Sequence, residues 1–279
     1  VTYGTIVVCG GGCYGGYYVR QLARARAAGA TSFERIVVVD RDPGCAVAHL
    51  AAAIAREDAA GIAAHGWRLH RDGDQTPLAA MEEAYRQLPL HLVTSDWAPF
   101  FDEWFGRAIA EPDAAAGDAV VPSPLMPHLL ADWVAARMRV HHATSLVERI
   151  VLPVSPDTPW QRTAADLAHY ASFATWMCPI NCIEPPRCPE TRGPRDWSMP
   201  ASVRLAADLA AATGAPFDAV ALFHTTHRAY GVGMFDVRDA IEADRSLRRI
   251  GPATAFTALV ASVSHCHGAL AALRAIPAT

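Results

Sequence analysis

The chain has 279 residues, 52% of them hydrophobic and 19% charged, which suffices for a sizeable core and excludes global disorder. Its net charge of −4 gives no basic footprint and argues against nucleic acid as a partner. No run of about 18 apolar residues is present, so no membrane span is expected. No leader pattern is evident at the start, which predicts a cytoplasmic chain.

Residues 5–9 form a short, apolar, β-branched run that predicts a buried strand. Gly10, Gly12 and Gly15 follow it with the spacing G-x-G-x-x-G, and residues 17–28 continue at helical spacing until Gly29. The segment "RIVVVDRD" then predicts a second strand ending at Asp40. Strand, glycines, helix, second strand and terminal acid together make a dinucleotide-binding fingerprint. The first glycine permits a tight turn, the second lets a pyrophosphate approach the backbone, and the third lets the helix pack close to the sheet. The helix N-terminus would face the phosphates. Asp40 would accept hydrogen bonds from the adenosine ribose and favours NAD over NADP, while the adjacent Arg41 softens that preference. The alternatives are a fold whose glycines serve packing alone, or a site for another nucleoside such as S-adenosylmethionine.

"IVVCGGGCYGGYYVRQL" followed by "RIVVVDRDPG" resembles NAD(P)-binding Rossmann domains. The piece "VVVDRDP" is similar to the nucleotide-binding domains of potassium-uptake regulators. The resemblance covers roughly residues 4–56 and implies a nucleotide site at Gly10, Gly12, Gly15 and Asp40. Cys13 and Tyr14 stand in the turn where those regulators usually carry a polar residue, and the C-terminal half does not resemble their ligand-binding domain.

Residues 51–87 predict a helix, a polar loop and another helix. Residues 88–96 predict a third strand, and "WAPFFDEWFGRAIAE" an amphipathic helix. A fourth strand over 118–124, a helix opening near His128 and a fifth strand in "SLVERIVLPV" complete the alternation. The expected fold is α/β, a doubly wound, parallel, Rossmann-like sheet over residues 1–153, with a smaller α+β domain over 154–279. Ligands bind beyond the C-terminal ends of such strands.

The C-terminal half holds three polar constellations. Cys178, Cys182 and Cys188 lie in "CPINCIEPPRCPETRGPRDW", where proline forbids regular structure. His224 and His227 end an apolar strand, and His265-Cys266-His267 interrupt another apolar run. Seven cysteines in a reducing compartment point to thiols or metal ligands rather than disulfides. Cys178, Cys182 and Cys188, with Cys266 as a fourth, are candidate ligands for zinc or an iron–sulfur cluster. The alternatives are buried thiols, or a redox pair such as Cys178 with Cys182. On a strand, His265 and His267 would share one face with Cys266 opposite. The four histidines are candidates for proton transfer, because imidazole titrates near working pH. They would otherwise serve as strand-end hydrogen-bonding groups. Arg192 and Arg195 would clamp a phosphate or carboxylate, or pair with Glu184 or Asp196.

These readings combine into an NAD(H)-dependent oxidoreductase acting on a small-molecule substrate, with a metal-bearing cysteine loop near the nicotinamide. The rivals are a non-enzymatic nucleotide or redox sensor and a transferase using S-adenosylmethionine. A homo-oligomer is left open, since the aromatic helix near residue 100 suits either a partner or the chain's own core.

Overall fold

The computed structural model describes residues 2–68, 78–123, 126, 128–174, 182–251 and 254–278. The chain opens with β1 (Thr2–Cys9), α1 (Cys13–Ala27) and β2 (Ser32–Asp40). Three short helices follow, α2 (Ala46–Ala55), α3 (Ala59–Arg68) and α4 (Leu78–Arg86), before β3 (Leu90–Thr94). Next come α5 (Trp97–Ala110), β4 (Ala119–Val121) and α6 (Leu129–His141). The chain continues through β5 (Ser145–Ile150), β6 (Trp160–Thr163), β7 (His169–Ser172) and α7 (Met199–Ala212). It closes with β8 (Ala219–His224), β9 (Thr226–Ala229), β10 (Val232–Asp236), α8 (Val237–Arg248), β11 (Phe256–Val263) and β12 (His267–Pro277).

The fold is mixed α/β with two mixed sheets. The first has the order β3-β2-β1-β4-β10-β9. Its first four strands are parallel, as expected from the β-branched runs. β10 then runs antiparallel to β4, and β9 antiparallel to β10. Two strands from beyond residue 154 therefore complete a sheet begun at residue 2. The second sheet has the order β6-β7-β12-β11-β8, with β5 pairing with β12 beyond β7. All its pairs are antiparallel except β8 with β11.

Period-two alternation sends each sheet's residues into two cores. Ile6 and Val8 of β1 meet α1 to α4, whereas Val7 and Cys9 face the opposite way, toward Phe101 and Phe105 of α5. Phe256, Ala258 and Val260 of β11 join that same central core, and Leu259, Ala261 and Val263 face Met199 and Val203 of α7. Helices α5, α6 and α8 thus lie between the two sheets. The aromatic helix is buried within the chain itself: Phe100, Phe101 and Phe105 are all in the core, and Phe105 stacks on Phe101 and meets Trp133 edge-on.

Strand β5 is not a fifth strand of the first sheet. It pairs antiparallel with β12, from Ser145 opposite Pro277 to Ile150 opposite Ala272. Its pattern explains why: Val147 is buried while Leu146 is 63% exposed. A strand with one wet face suits the edge of an antiparallel sheet, not the dry centre of a parallel one. Helix α7 begins as its sequence predicts, with the Ser198 hydroxyl accepting from the Ala201 N–H and proline in the first turn.

Candidate functional site

The glycine turn joins the C-terminal end of β1 to α1. Gly10 adopts φ +94°, a left-handed conformation that disfavours other residues, and its N–H donates to the Val39 carbonyl at 2.8 Å. A Cβ on Gly15 would overlap the Gly10 carbonyl oxygen, so that glycine is fixed by close approach of helix and turn. Gly12 is different. It is the N-cap of α1, and a Cβ there would meet nothing within 4 Å. No side chain of the N-cap residue caps α1.

Asp40 ends β2 beside this turn. Its Oδ2 accepts from the Gly11 N–H at 2.6 Å and its Oδ1 from the Asp42 N–H at 2.9 Å. A carboxylate has about four acceptor positions, so capacity remains for a ribose hydroxyl. The Trp97 indole donates to the Val39 carbonyl at 3.0 Å and lies against Gly10. Cys45 packs over Gly11 and is buried, whereas Cys13 and Arg41 are exposed.

The second and third constellations meet where the chain steps from one sheet to the other. His224 ends β8 in the second sheet, and two residues later Thr226 opens β9 in the first. His265 and Cys266 sit in the turn between β11 and β12, not on a strand, and only His267 begins β12. Ser264 makes that turn: its Oγ accepts from the Cys266 and His267 N–H groups at 3.2 and 3.3 Å. Polar side chains in such turns compete with ladder pairing, which removes the shared face expected of the two histidines.

Glu184 ties these pieces together. Its Oε1 accepts from the His265 N–H at 3.3 Å, and its Oε2 lies 3.4 Å from His227 Nδ1. The second contact has ion-pair distance but poor hydrogen-bond alignment, and His227 Nδ1 is otherwise without a partner among the described residues. Glu184 stands two residues after Cys182, so all three constellations contribute to one neighbourhood. Its backbone has φ 52°, a costly conformation for glutamate that the surrounding contacts must hold. Burial alone would raise the Glu184 carboxyl, but the His227 imidazole and the His265 N–H outweigh it and hold the group below the usual carboxylate range.

Two neighbouring imidazoles, His224 and His267, are held below the ordinary range. Burial, reinforced by His227, pushes His267 down to about 4. Burial also lowers His224, whose Nε2 is enclosed without a hydrogen-bond partner among the described residues. The His224 N–H donates to Asp239 Oδ2 at 3.3 Å, and burial pushes the Asp239 carboxyl up to about 6 despite that bond. The His227 ring lies across Gly233, where a Cβ would stand 3.2 Å from Nε2.

The cysteine loop lies alongside. Residues Arg187 and Pro194 form a bridge, and inside it the Cys188 N–H donates to the Gly193 carbonyl at 2.9 Å. Hydrogen bonding from the Glu190 and Thr191 backbone, the Thr191 hydroxyl and Arg195 favours the charged form of the Cys188 thiol. Burial would raise this thiol; these donors outweigh it and lower it. Arg195 Nη2 is also 3.9 Å from Cys182 Sγ. Trp197 Nε1 is 3.4 Å from Cys266 Sγ, and its ring stacks on Phe173. Arg195 therefore faces thiols rather than Glu184 or Asp196. Arg192 is exposed at φ 58°, its N–H donating to the Cys188 carbonyl. Cys182, Cys188 and Cys266 are buried, and Cys178 lies outside the described residues. Among the described residues no group of three or more His, Cys, Asp or Glu is arranged to hold a metal ion. No described helix is long and apolar enough to cross a membrane.

His128 stays at the start of α6, 4.0 Å from Asp132, and joins none of these groups. Sequence reasoning underrated Glu184, Thr191 and Asp239. Only the Thr191 position, three residues after Cys188 in a proline-bounded loop, carried a local signal.

The fold and site define a mixed α/β protein with a glycine turn at one strand end and a histidine, carboxylate and thiol cluster between its sheets. Residues 130–276 match the family model AF_1314_C, described as "Uncharacterized protein, C-terminal domain". That stretch is more than half of the chain, and the chain belongs to this family. It contains α6 almost whole and every residue of the cluster. The comparison with curated proteins and that with solved structures gave no match.

Proposed function

We propose that the protein is an NAD(H)-dependent oxidoreductase built on a Rossmann-like sheet. The observation that carries this reading is the joint placement of the glycine turn, Asp40 and His227 on one sheet. With the pyrophosphate at Gly10–Gly12 and the adenosine ribose on Asp40 of β2, the other half of the dinucleotide extends toward β4. Beyond β4 come β10 and then β9, which carries His227. Three strand spacings separate β1 from β9, or about 14 Å, which is within the reach of an extended dinucleotide.

Glu184 and His227 would handle the proton that accompanies hydride transfer, with the carboxylate holding the imidazole in place. The neutral His224 and His267 would accept hydrogen bonds from a hydroxyl substrate or stand beside its carbonyl. Burial of the cluster between helices and sheets would exclude water from the reaction.

The test is titration with NADH, NADPH and S-adenosylmethionine, in wild type and in Gly12→Asp. An added carboxylate at Gly12 meets open space, so the variant should fold normally. It would sit beside the pyrophosphate charge. At about 4–5 Å and an effective dielectric near 20, that repulsion is roughly 4 kcal/mol before screening. Loss of at least 30-fold in NADH affinity is expected. Equal affinity in a folded variant, or no NADH binding by the wild type, refutes the nucleotide site. NADH binding without consumption across alcohol, aldehyde and ketone panels would favour the sensor reading instead.

A further inference from the structure

The Nε and Nη1 atoms of Arg195 are enclosed and have no hydrogen-bond partner among the described residues. Its Nη2 stands 3.9 Å from the Cys182 sulfur, which is a weak acceptor. Arg137, Arg149 and Arg228 are also partly buried, and each has a carboxylate: Asp244, Asp132 with Asp166, and Asp236. A guanidinium taken out of water without a counter-charge is costly, so the position of Arg195 calls for an anion. The surrounding backbone is held in place. The Arg195 N–H donates to the Pro186 carbonyl at 2.8 Å, and the Met199 N–H to the His265 carbonyl at 2.9 Å. Between them, the Trp197 indole meets the Cys266 sulfur at 3.4 Å. The segment 195–199 therefore runs against the turn that carries His265 and Cys266. On its other side, Cys182 lies two residues from Glu184, at most about 7 Å of chain, and Glu184 reaches His227 and His265. Two more atoms of this neighbourhood, His224 Nε2 and His227 Nδ1, lack an aligned hydrogen-bond partner among the described residues. An unpaired guanidinium beside two unsatisfied imidazole nitrogens suits a ligand with an acid at one end and a hydroxyl or carbonyl at the other.

We propose that Arg195 binds the carboxylate of a small monocarboxylic acid, and that this acid carries a hydroxyl or carbonyl group facing His224 and His227. A carboxylate is planar and singly charged, which matches one guanidinium. A phosphate dianion would bring surplus negative charge beside Glu184. The carboxylate site stands on the unpaired guanidinium alone, whereas the substrate class rests on the oxidoreductase reading above. Under that reading the substrate is a hydroxy acid or the corresponding oxo acid. The carbinol carbon gives its hydride to NAD⁺, the hydroxyl gives its proton to the cluster, and the oxo acid and NADH result. Arg195 orients the acid for that step by holding the end that does not react.

The experiment is calorimetric titration of the full-length protein, without nucleotide. The probes are glycolate, lactate, pyruvate and β-hydroxybutyrate, the neutral glycolamide and lactamide, and inorganic phosphate. At least one acid should bind, and glycolate or lactate should bind about tenfold or more tighter than its amide. That comparison needs no variant. Arg195→Gln should weaken acid binding by about tenfold or more, and Arg195→Lys, which keeps the charge, by less. Arg187→Gln removes an exposed arginine of the same loop and should leave the affinity unchanged. Urea midpoints check that the variants fold. No binding of any acid, equal affinity for acid and amide, tighter binding of phosphate than of every acid, or equal loss in Arg187→Gln overturns the proposal. Titration with NADH in parallel separates the two readings. Acid binding that depends on Arg195 in a protein that does not bind NADH keeps the carboxylate site and sinks the oxidoreductase reading. NADH binding without acid binding does the reverse.

Discussion

His267 and Asp239 make opposite demands on the folded state as pH falls, and single substitutions should separate them. His267 is held down to about 4 by burial, against an ordinary 6.5. Below pH 6.5 the unfolded chain takes up a proton that the folded chain refuses until about pH 4. Stability is therefore lost across that window, by about 3 kcal/mol at 1.36 kcal/mol per pH unit of difference. Asp239 is pushed up to about 6 from 3.8, again by burial. From about pH 6 downward the folded chain binds a proton that the unfolded chain does not bind until 3.8. Stability is gained, also by about 3 kcal/mol. In the wild type these two contributions nearly cancel. In His267→Gln only the gain remains, so its unfolding free energy should rise relative to wild type between pH 6.5 and 4. In Asp239→Asn only the loss remains, and the difference should have the opposite sign. Glu184, with its depressed carboxyl, contributes a loss at the acid end that is common to all three proteins. Urea unfolding at half-unit steps of pH measures the effect. Parallel pH profiles for the three proteins, or shifts of the same sign in both variants, would refute the burial argument for this cluster.

The second and third glycine positions should behave differently in stability measurements. Gly15→Ala forces a methyl group into the Gly10 carbonyl and should cost about 3 kcal/mol, read as an early urea midpoint. Gly12→Asp should stay within about 0.5 kcal/mol of wild type, since its side chain enters open space at a helix N-cap. Asp244 is 1% exposed and receives Arg137, His141 and Arg248, each at 2.7 Å, where α6 meets α8. Asp244→Ala would leave the two arginines and the His141 ring without their acceptor and should cost about 3 kcal/mol, somewhat less than a fully enclosed network because Arg248 is half exposed. Phe105→Ala empties the centre of the aromatic layer and should cost about 3–5 kcal/mol by thermal or chemical unfolding.

The glycine turn was legible because its features are local. A β-branched run, glycines at fixed spacing and an acid at the next strand end lie within about forty residues, and each constrains the backbone directly. The cysteine loop was legible for a similar reason, since its prolines forbid regular structure wherever the loop packs. The apolar stripe of the aromatic helix was legible from its spacing, but only the structure decided that it meets the chain's own core rather than a partner. Pairing partners did not. The run in β5 reads as a strand in either sheet, and only the offer of β12 as an antiparallel neighbour placed it in the second. Nothing in the sequence of β9 and β10 announces their return to the first sheet beside β4.

The sequence by itself determined strand and helix types, the glycine turn with Asp40, and a stock of histidines and cysteines suited to proton and thiol chemistry. Tertiary structure decided which of them meet. Glu184 joins His227 and His265 across 43 and 81 positions of chain, and Arg195 turns from the carboxylates toward three sulfurs. Local pattern fixes backbone conformation because it acts through neighbouring dihedrals and periodic burial. Long-range contacts depend on which sheet edge and which turn happen to lie opposite, and that is settled only when both sheets close over the shared helix layer.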